Sequence, residues 1–434
     1  MPLPPHARQT ARDLISFIDA SPSPWHAVAS AEQRLQASGF TRLEEGARWL
    51  LAPGGRHYVL RGGASLIAFV LGGRPLAEAG FRIVGAHTDS PGLRLKPRPA
   101  MGGDGLVRLA VEVYGGPILA TFADRDLSLA GRVMLRGAAG PQPRLLRFDT
   151  PLLRLPNLAI HMNREVNEAG LKFDKQTELP LLLGPLGKED DADVRLRALL
   201  AAAASCAPDD LLSWELAAFD VQPGSLWGAD EEFIASRQLD NLASCHAALT
   251  ALTAVNAPEA TAVAALFDHE EVGSESAAGA GGSFVGDVLG RIGLALGLDE
   301  EDRRRAAANS FFVSADMAHA YNPNFPAAYE PEHKVAVNGG PVIKTHASQR
   351  YTTGAATAAR FMALCQGAGV PCQQYAHRGN LGCGSTIGPI VAAQLGIAGV
   401  DVGAPMWAMH SARESAGALD PAYMIAALAV CYAN

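Results

Sequence analysis

Four apolar runs in this chain each lead into a histidine or a carboxylate, and this pattern constrains the fold more than any other feature. Phe81-Arg-Ile-Val-Gly-Ala86 runs into His87-Thr-Asp89, and Thr261–Phe267 into Asp268-His-Glu270-Glu271. Phe311–Ala315 runs into Asp316, and the stretch from Gly399 to Met409 runs into His410. Each run reads as a strand. In open α/β sheets the ligand crevice lies at the carboxyl ends of the strands, so residues far apart in sequence can meet there. A fifth candidate, Asp240, stands in Gln238-Leu-Asp240-Asn241-Leu just before a helical stretch.

The rest of the chain fits this frame. Gln9 to Ala37 reads as helix, broken at Ser21-Pro-Ser-Pro24, and Tyr58–Leu60 and Ser65–Val70 read as short strands. Beyond Pro91 the texture changes. Leu106–Tyr114 and Leu127–Leu135 are strand-like and partly alternating, and Pro185 to Asp193 reads as an exposed loop. Helical texture resumes at Leu242–Leu252 and then alternates with strands to the end. The expected fold class is α/β: a mixed sheet with helices on both faces, plus a β-rich inserted domain. The catalytic domain is expected at residues 1–92 and 231–434, with the insertion at 93–230.

Size and composition support two domains and exclude several functions. The chain has 434 residues, 48% hydrophobic and 18% charged, enough to bury a large core. The net charge is −8 and no basic stripe is present, which argues against nucleic acid as a partner. No run of about 20 apolar residues could span a bilayer. The start, Met1-Pro-Leu-Pro-Pro-His6-Ala-Arg8, lacks the pattern of a signal peptide. The six cysteines form no C-x-x-C pair and read as reduced. A cytoplasmic location follows as the expectation.

The candidate residues suit metal chemistry. Imidazole with carboxylates fits zinc, with cobalt or manganese as alternatives. Two cations need a carboxylate between them. The expected set is Asp240 bridging, His87 with Asp316 on one ion, and Glu271 with His410 on the other. Glu270, beside Glu271, is the expected general acid/base, and Asp89 is expected to hold the far nitrogen of His87. A single acid after a strand is more often a helix cap or a solvated loop residue. Four clusters after four apolar runs, joined by Asp-Asn, favour the metal reading.

The chain also resembles the aspartyl aminopeptidase family of dinuclear zinc exopeptidases along nearly its whole length. The matching pieces include His87-Thr-Asp-Ser-Pro91, Arg237-Gln-Leu-Asp240-Asn-Leu242, Asp268-His-Glu-Glu-Val-Gly-Ser274, Ser314-Ala-Asp-Met-Ala-His319 and Met409-His410-Ser-Ala-Arg-Glu414. Asn338-Gly-Gly-Pro-Val-Ile-Lys344, Gln349-Arg-Tyr-Thr352 and Gly382-Cys-Gly-Ser-Thr-Ile-Gly-Pro389 match as well. The resemblance implies the metal assignments above and hydrolysis of an N-terminal residue, Asp or Glu, from peptides. It implies that the inserted domain forms dimers that assemble into a homo-dodecamer. It places His319, Lys344 and Tyr351 beside the substrate, with His161 reaching in from a neighbouring subunit. Two other readings stand beside it: an aminopeptidase for neutral N-terminal residues, and a non-catalytic scaffold of the same fold, against which the intact Glu270 and metal ligands argue.

Overall fold

The computed structural model describes residues 3–434. They form two compact units. One takes the chain up to Asp89, then Gly224–Met409 and Glu414–Asn434; the other takes Ser90–Pro223 and His410–Arg413. The insertion expected at 93–230 therefore compares with a segment at 90–223, and the residues His410–Arg413 group with it.

The first unit is built on a nine-stranded mixed sheet. Its central strands are β1 (Phe81–His87), β2 (Thr261–Phe267), β3 (Phe311–Ala315), β4 (Val342–Thr345), β5 (Gln373–Ala376) and β6 (Gly399–Gly403). The order across the sheet is Thr41–Arg42, Arg56–Arg61, Ser65–Val70, β2, β1, β3, β6, β4, β5. β2, β1, β3 and β6 run parallel, with Val84 of β1 level with Ala264 on one side and Val313 on the other. Ser65–Val70 and β4 run antiparallel to their neighbours in that block.

Alternation along β1 sends side chains to two cores. Val84 and Ala86 join the core under the helices Pro5–Asp19, Pro24–Ala37, α1 (Leu239–Ala254), Ala355–Ala368 and Asp420–Ala433. Phe81 and Ile83 join the core under Phe284–Ala295 and Ile387–Leu395. The N-terminal helices start at prolines, where a missing N–H costs nothing, and Ser23 accepts from the His26 N–H to cap the second. The expected Gln9–Ala37 helix and its break are thus found as Pro5–Asp19 and Pro24–Ala37. A smaller five-stranded sheet orders Ser225–Trp227, Phe233–Ser236, Glu414–Gly417, Pro405–Trp407 and Ala318–His319.

The second unit has a six-stranded antiparallel sheet, ordered Gln142–Arg147, Leu127–Leu135, Leu211–Asp220, Gly92–Gly103, Leu106–Tyr114 and Leu181–Pro185. The helix Ala192–Ala204 buries Leu196 and Leu200 in its core, and its N-cap Asp191 accepts from Asp193 and Val194 N–H. The stretch expected as a loop at Pro185–Asp193 is shorter than that. Pro185 closes a strand and Ala192 opens the helix, because Asp191 satisfies the first free N–H groups.

Candidate metal centre

His87 ends β1 and is 1% exposed. Three contacts fix it. Its main-chain carbonyl accepts from Cys245 Sγ at 3.0 Å, its Nδ1 lies 3.0 Å from the Asp89 carbonyl, and Nε2 points at acids. Nε2 lies 3.5 Å from Asp240 Oδ1, 3.6 Å from Asp316 Oδ1 and 3.9 Å from Glu270 Oε2. Ligand atoms of His87, Asp240 and Asp316 all lie within 4.8 Å of one another, and so do those of His87, Glu270 and Glu271.

Each carboxylate arrives by a different local device. Asp316 follows directly on β3. Asp240 sits at the start of α1, where Asp240 and Asn241 leave helical geometry and Gln238 ahead of them has a positive φ of 54°. The Asp240 N–H donates to Glu414 Oε2 at 3.1 Å, and Asn241 Nδ2 donates to the Ala315 carbonyl at 2.9 Å, which ties the Asp-Asn pair to the residue before Asp316. Glu270 and Glu271 lie in a one-turn 3-10 helix after His269, whose φ is 64°. Non-glycine residues in this region are strained, and such strain gathers at functional sites.

Asp89 does more than the expected task. It is fully buried, and its Oδ1 and Oδ2 accept the Glu270 and Glu271 N–H groups, each at 3.1 Å. The closest partner of His87 Nδ1 is the Asp89 main-chain oxygen; the carboxylate oxygen stands farther off, at 3.4 Å. Asp89 therefore orients the acidic turn through its side chain and the histidine through both its carbonyl and its carboxylate. An imidazole tied at Nδ1 presents Nε2 as the ligand atom.

His410 also differs from the expectation of a ligand at a strand end. β6 stops at Gly403 and Pro405–Trp407 forms its own short strand. His410 then stands in a turn with φ 69°, grouped with the second unit, its Nδ1 3.1 Å from the Gly116 carbonyl. His161 lies in an exposed turn of that same unit.

The donor set fits a divalent cation. A tetrahedral zinc with ligands near 2.0–2.1 Å sets its donor atoms roughly 3.3–3.4 Å apart, close to the separations around Nε2. Carboxylates this deeply buried are costly without a cation. Their mutual repulsion is visible in protonation. Burial, reinforced by Asp316, Glu271 and Asp240 and opposed by His87, pushes the Glu270 carboxyl up to about 8. Burial pulls the His87 imidazole down, but Asp240, Asp316 and Asp89 outweigh it and hold the group well above its ordinary value. A bound cation would invert this balance, favouring ionised carboxylates and a neutral imidazole.

The other expected residues surround Asp316. Lys344 on β4 is 2% exposed; its Nζ donates to the Asp316 and Met317 carbonyls, each at 3.1 Å, and lies 3.7 Å from Asp316 Oδ2. The ammonium also sits 5.1 Å from the ring centre of buried Tyr351, whose hydroxyl accepts from Cys383 Sγ at 3.5 Å. His319 packs edge-on to Tyr375, and burial, with Lys344 and His377 nearby, lowers it to about 4, so its imidazole is neutral. Sequence reasoning gave no role to Asn241, Cys245 or Glu414. The first stood in plain view in Asp-Asn; the other two act through main-chain groups, which leave no motif of their own.

A buried imidazole among carboxylates at the carboxyl ends of a mixed α/β sheet forms a site suited to a divalent metal ion. Residues 17–432 match the family described as Aminopeptidase I zinc metalloprotease (M18). The chain is 46% identical over 423 residues to the probable M18 family aminopeptidase 2 of Stutzerimonas stutzeri (strain A1501), covering 97% of each chain. Among solved structures it is similar to a chain of the Ape4 and Nbr1 complex, with 38% identity, a TM-score of 0.96, and coverage of 100% of this chain and 88% of that one. It is also similar to the S. cerevisiae mApe1 dodecamer, at 27% identity and a TM-score of 0.84, covering 98% and 96%. The chain belongs to the M18 family of zinc aminopeptidases. It is a hydrolase that removes residues from peptide N-termini, and its fold is that of this family. Among the described residues no helix is long and apolar enough to cross a membrane.

Proposed function

We propose that this aminopeptidase uses two zinc ions per chain and prefers an N-terminal Asp or Glu. The observation that carries the metal reading is the convergence of Asp240 and Asp316 on His87 Nε2 at 3.5 and 3.6 Å. Asp240 would be the shared ligand, with His87 and Asp316 holding one ion and Glu271 and His410 holding the other. What supports two ions is charge: Asp240, Glu270, Glu271 and Asp316 all stand around one imidazole, more negative charge than one divalent cation balances. Bound zinc makes a water acidic near neutral pH and polarises the scissile carbonyl. Glu270, 3.9 Å from His87 Nε2, takes the proton of the attacking water and returns it to the leaving amine. Asp89 holds Glu270 in place through the Glu270 N–H.

Selectivity comes from the pocket for the first side chain. Lys344 donates to the Asp316 and Met317 carbonyls and lies 3.7 Å from Asp316 Oδ2, and its ammonium is the positive charge that a substrate carboxylate would meet. A neutral side chain would gain nothing from that ammonium, so the pocket favours Asp and Glu over Leu and Ala. Neutral His319 and Tyr351 complete the pocket, and His161 enters it from a neighbouring subunit. The likeness to the S. cerevisiae mApe1 dodecamer supports assembly into a homo-dodecamer, with the second unit assigned to dimer formation. All six cysteines are free, in keeping with a cytoplasmic enzyme. The test is kcat/KM for Asp-, Glu-, Leu- and Ala-linked fluorogenic substrates, with and without a chelator. Cleavage that survives zinc removal, or a preference for Leu over Asp, would overturn the reading.

A further inference from the structure

We infer that Asp401 is the positioning residue that sets the geometry of the pocket around Lys344 and Tyr351; this rests on the pocket reading given above. Asp401 lies on β6 and is fully buried. The parallel register pairs it with Ser314 of β3. The antiparallel pairs Val342↔Gly403 and Ile343↔Val402 bring Lys344, the next residue of β4, level with it. Residues directly opposite in neighbouring strands share a face, so Ser314, Asp401 and Lys344 form a row across three strands.

The carboxylate then ties two loops together. Its Oδ2 accepts the Thr352 N–H at 2.6 Å and its Oδ1 accepts the Thr386 hydroxyl at 2.5 Å, while the Asp401 N–H donates to Thr353 Oγ1 at 2.9 Å. Both residues after Tyr351 are thereby fixed to the sheet. Thr386 in turn caps the helix Ile387–Leu395 by accepting the Gly388 N–H at 3.1 Å. Cys383 and Ser385, just ahead of it, donate to the Tyr351 hydroxyl and the Arg350 carbonyl. The phenol above the Lys344 ammonium is therefore held from both ends by bonds that lead back to one carboxylate. The fit is close: a Cβ at Gly388 would lie 2.2 Å from Asp401 Oδ2, so only glycine lets the helix start against this group. Burial raises the Asp401 carboxyl, and the Lys344 ammonium, the Thr386 and Ser314 hydroxyls and the Thr352 N–H pull it back. Asp401 acts on the pocket through the Thr352, Thr353 and Thr386 bonds that frame Tyr351 and through its charge beside Lys344.

The test compares Asp401→Ala, Asp401→Asn and Lys344→Met in the zinc-loaded full-length enzyme, measuring kcat and KM separately on Asp- and Ala-linked substrates. An Asn amide can still accept the Thr352 N–H and donate to Thr386, so it is the conservative replacement. Asp401→Ala is expected to raise KM for the Asp substrate about ten- to a hundredfold, with a much smaller change in kcat on the Ala substrate, since the charged-group hydrogen bonds it removes hold the Thr352 and Thr386 segments around Tyr351. Asp401→Asn is expected to restore the preference, and zinc content is expected to be equal in all. Unchanged selectivity in Asp401→Ala, or an equal loss on both substrates that Asn does not repair, overturns the inference while the pocket stands if Lys344→Met abolishes the preference. An unchanged preference in Lys344→Met overturns the pocket reading and this inference with it. Should Asp401→Ala not fold, Thr386→Val removes only the hydroxyl donor and is read in the same assay, with a smaller rise in the same KM expected and no rise counting against the inference.

Discussion

Replacing Asp89 with Asn tests how the acidic turn is held. The Asp89 carboxylate receives two N–H groups, from Glu270 and Glu271, one on each oxygen and each at 3.1 Å. An amide offers only one oxygen, so one N–H meets an NH2 group and loses its partner. A hydrogen bond to a charged group is worth about 1.5–3 kcal/mol. If that energy serves to hold Glu270 for proton transfer, kcat falls about ten- to 150-fold, at roughly 1.4 kcal/mol per factor of ten. The bond from His87 Nδ1 to the Asp89 carbonyl is main-chain and survives the change, so bound zinc is expected to be retained. The assay is kcat at saturating substrate and saturating zinc, with metal analysis on the same sample. A kcat within about twofold of wild type would refute the claim that this carboxylate organises the catalytic turn.

Further expectations follow from the same geometry. Glu270→Gln keeps its metals and loses about 10²–10⁴-fold in turnover, read by steady-state kinetics beside metal analysis. Lys344→Met loses the preference for Asp over Ala, seen as a rise in KM for the Asp substrate. In chelator-treated protein the folded-state values of Glu270 and His87 both lie above their ordinary ones. These two groups bind more protons in the folded chain, so the stability they contribute is present at low pH and is lost as pH rises through the raised value of about 8 for Glu270, while His319, lowered to about 4, contributes with the opposite sign. Thermal midpoints of the chelator-treated wild type and Glu270→Gln check this: the gap in favour of the wild type is expected to shrink as pH rises through about 8, and a gap that widens would contradict it.

The sequence shows some parts of this molecule more clearly than others. Ser65–Val70, Leu106–Tyr114 and Leu127–Leu135 could be read to the residue because their side chains alternate or are apolar throughout. Asp316 was legible because it directly follows an apolar strand. The strands β4 and β5 were not, since four residues flanked by loops carry too little periodicity to be seen. The second role of Asp89 was missed for another reason. His-x-Asp spacing suggests that the carboxylate meets the ring, but the main-chain carbonyl of the same residue reaches Nδ1 first, and the carboxylate is drawn to the N–H groups of a turn 181 and 182 residues away. Asp401 had no motif at all, because its partners are main-chain and hydroxyl groups on three separate segments.

The central claim is a pair of zinc ions sharing Asp240, and metal stoichiometry tests it most directly. Zinc per chain is to be measured in the purified wild type and in Asp240→Ala, alongside aminopeptidase activity. The account predicts two ions per wild-type chain, with both lost or scrambled and activity abolished in the variant. Two ions still bound to Asp240→Ala, or a fully active wild type holding only one, would contradict it.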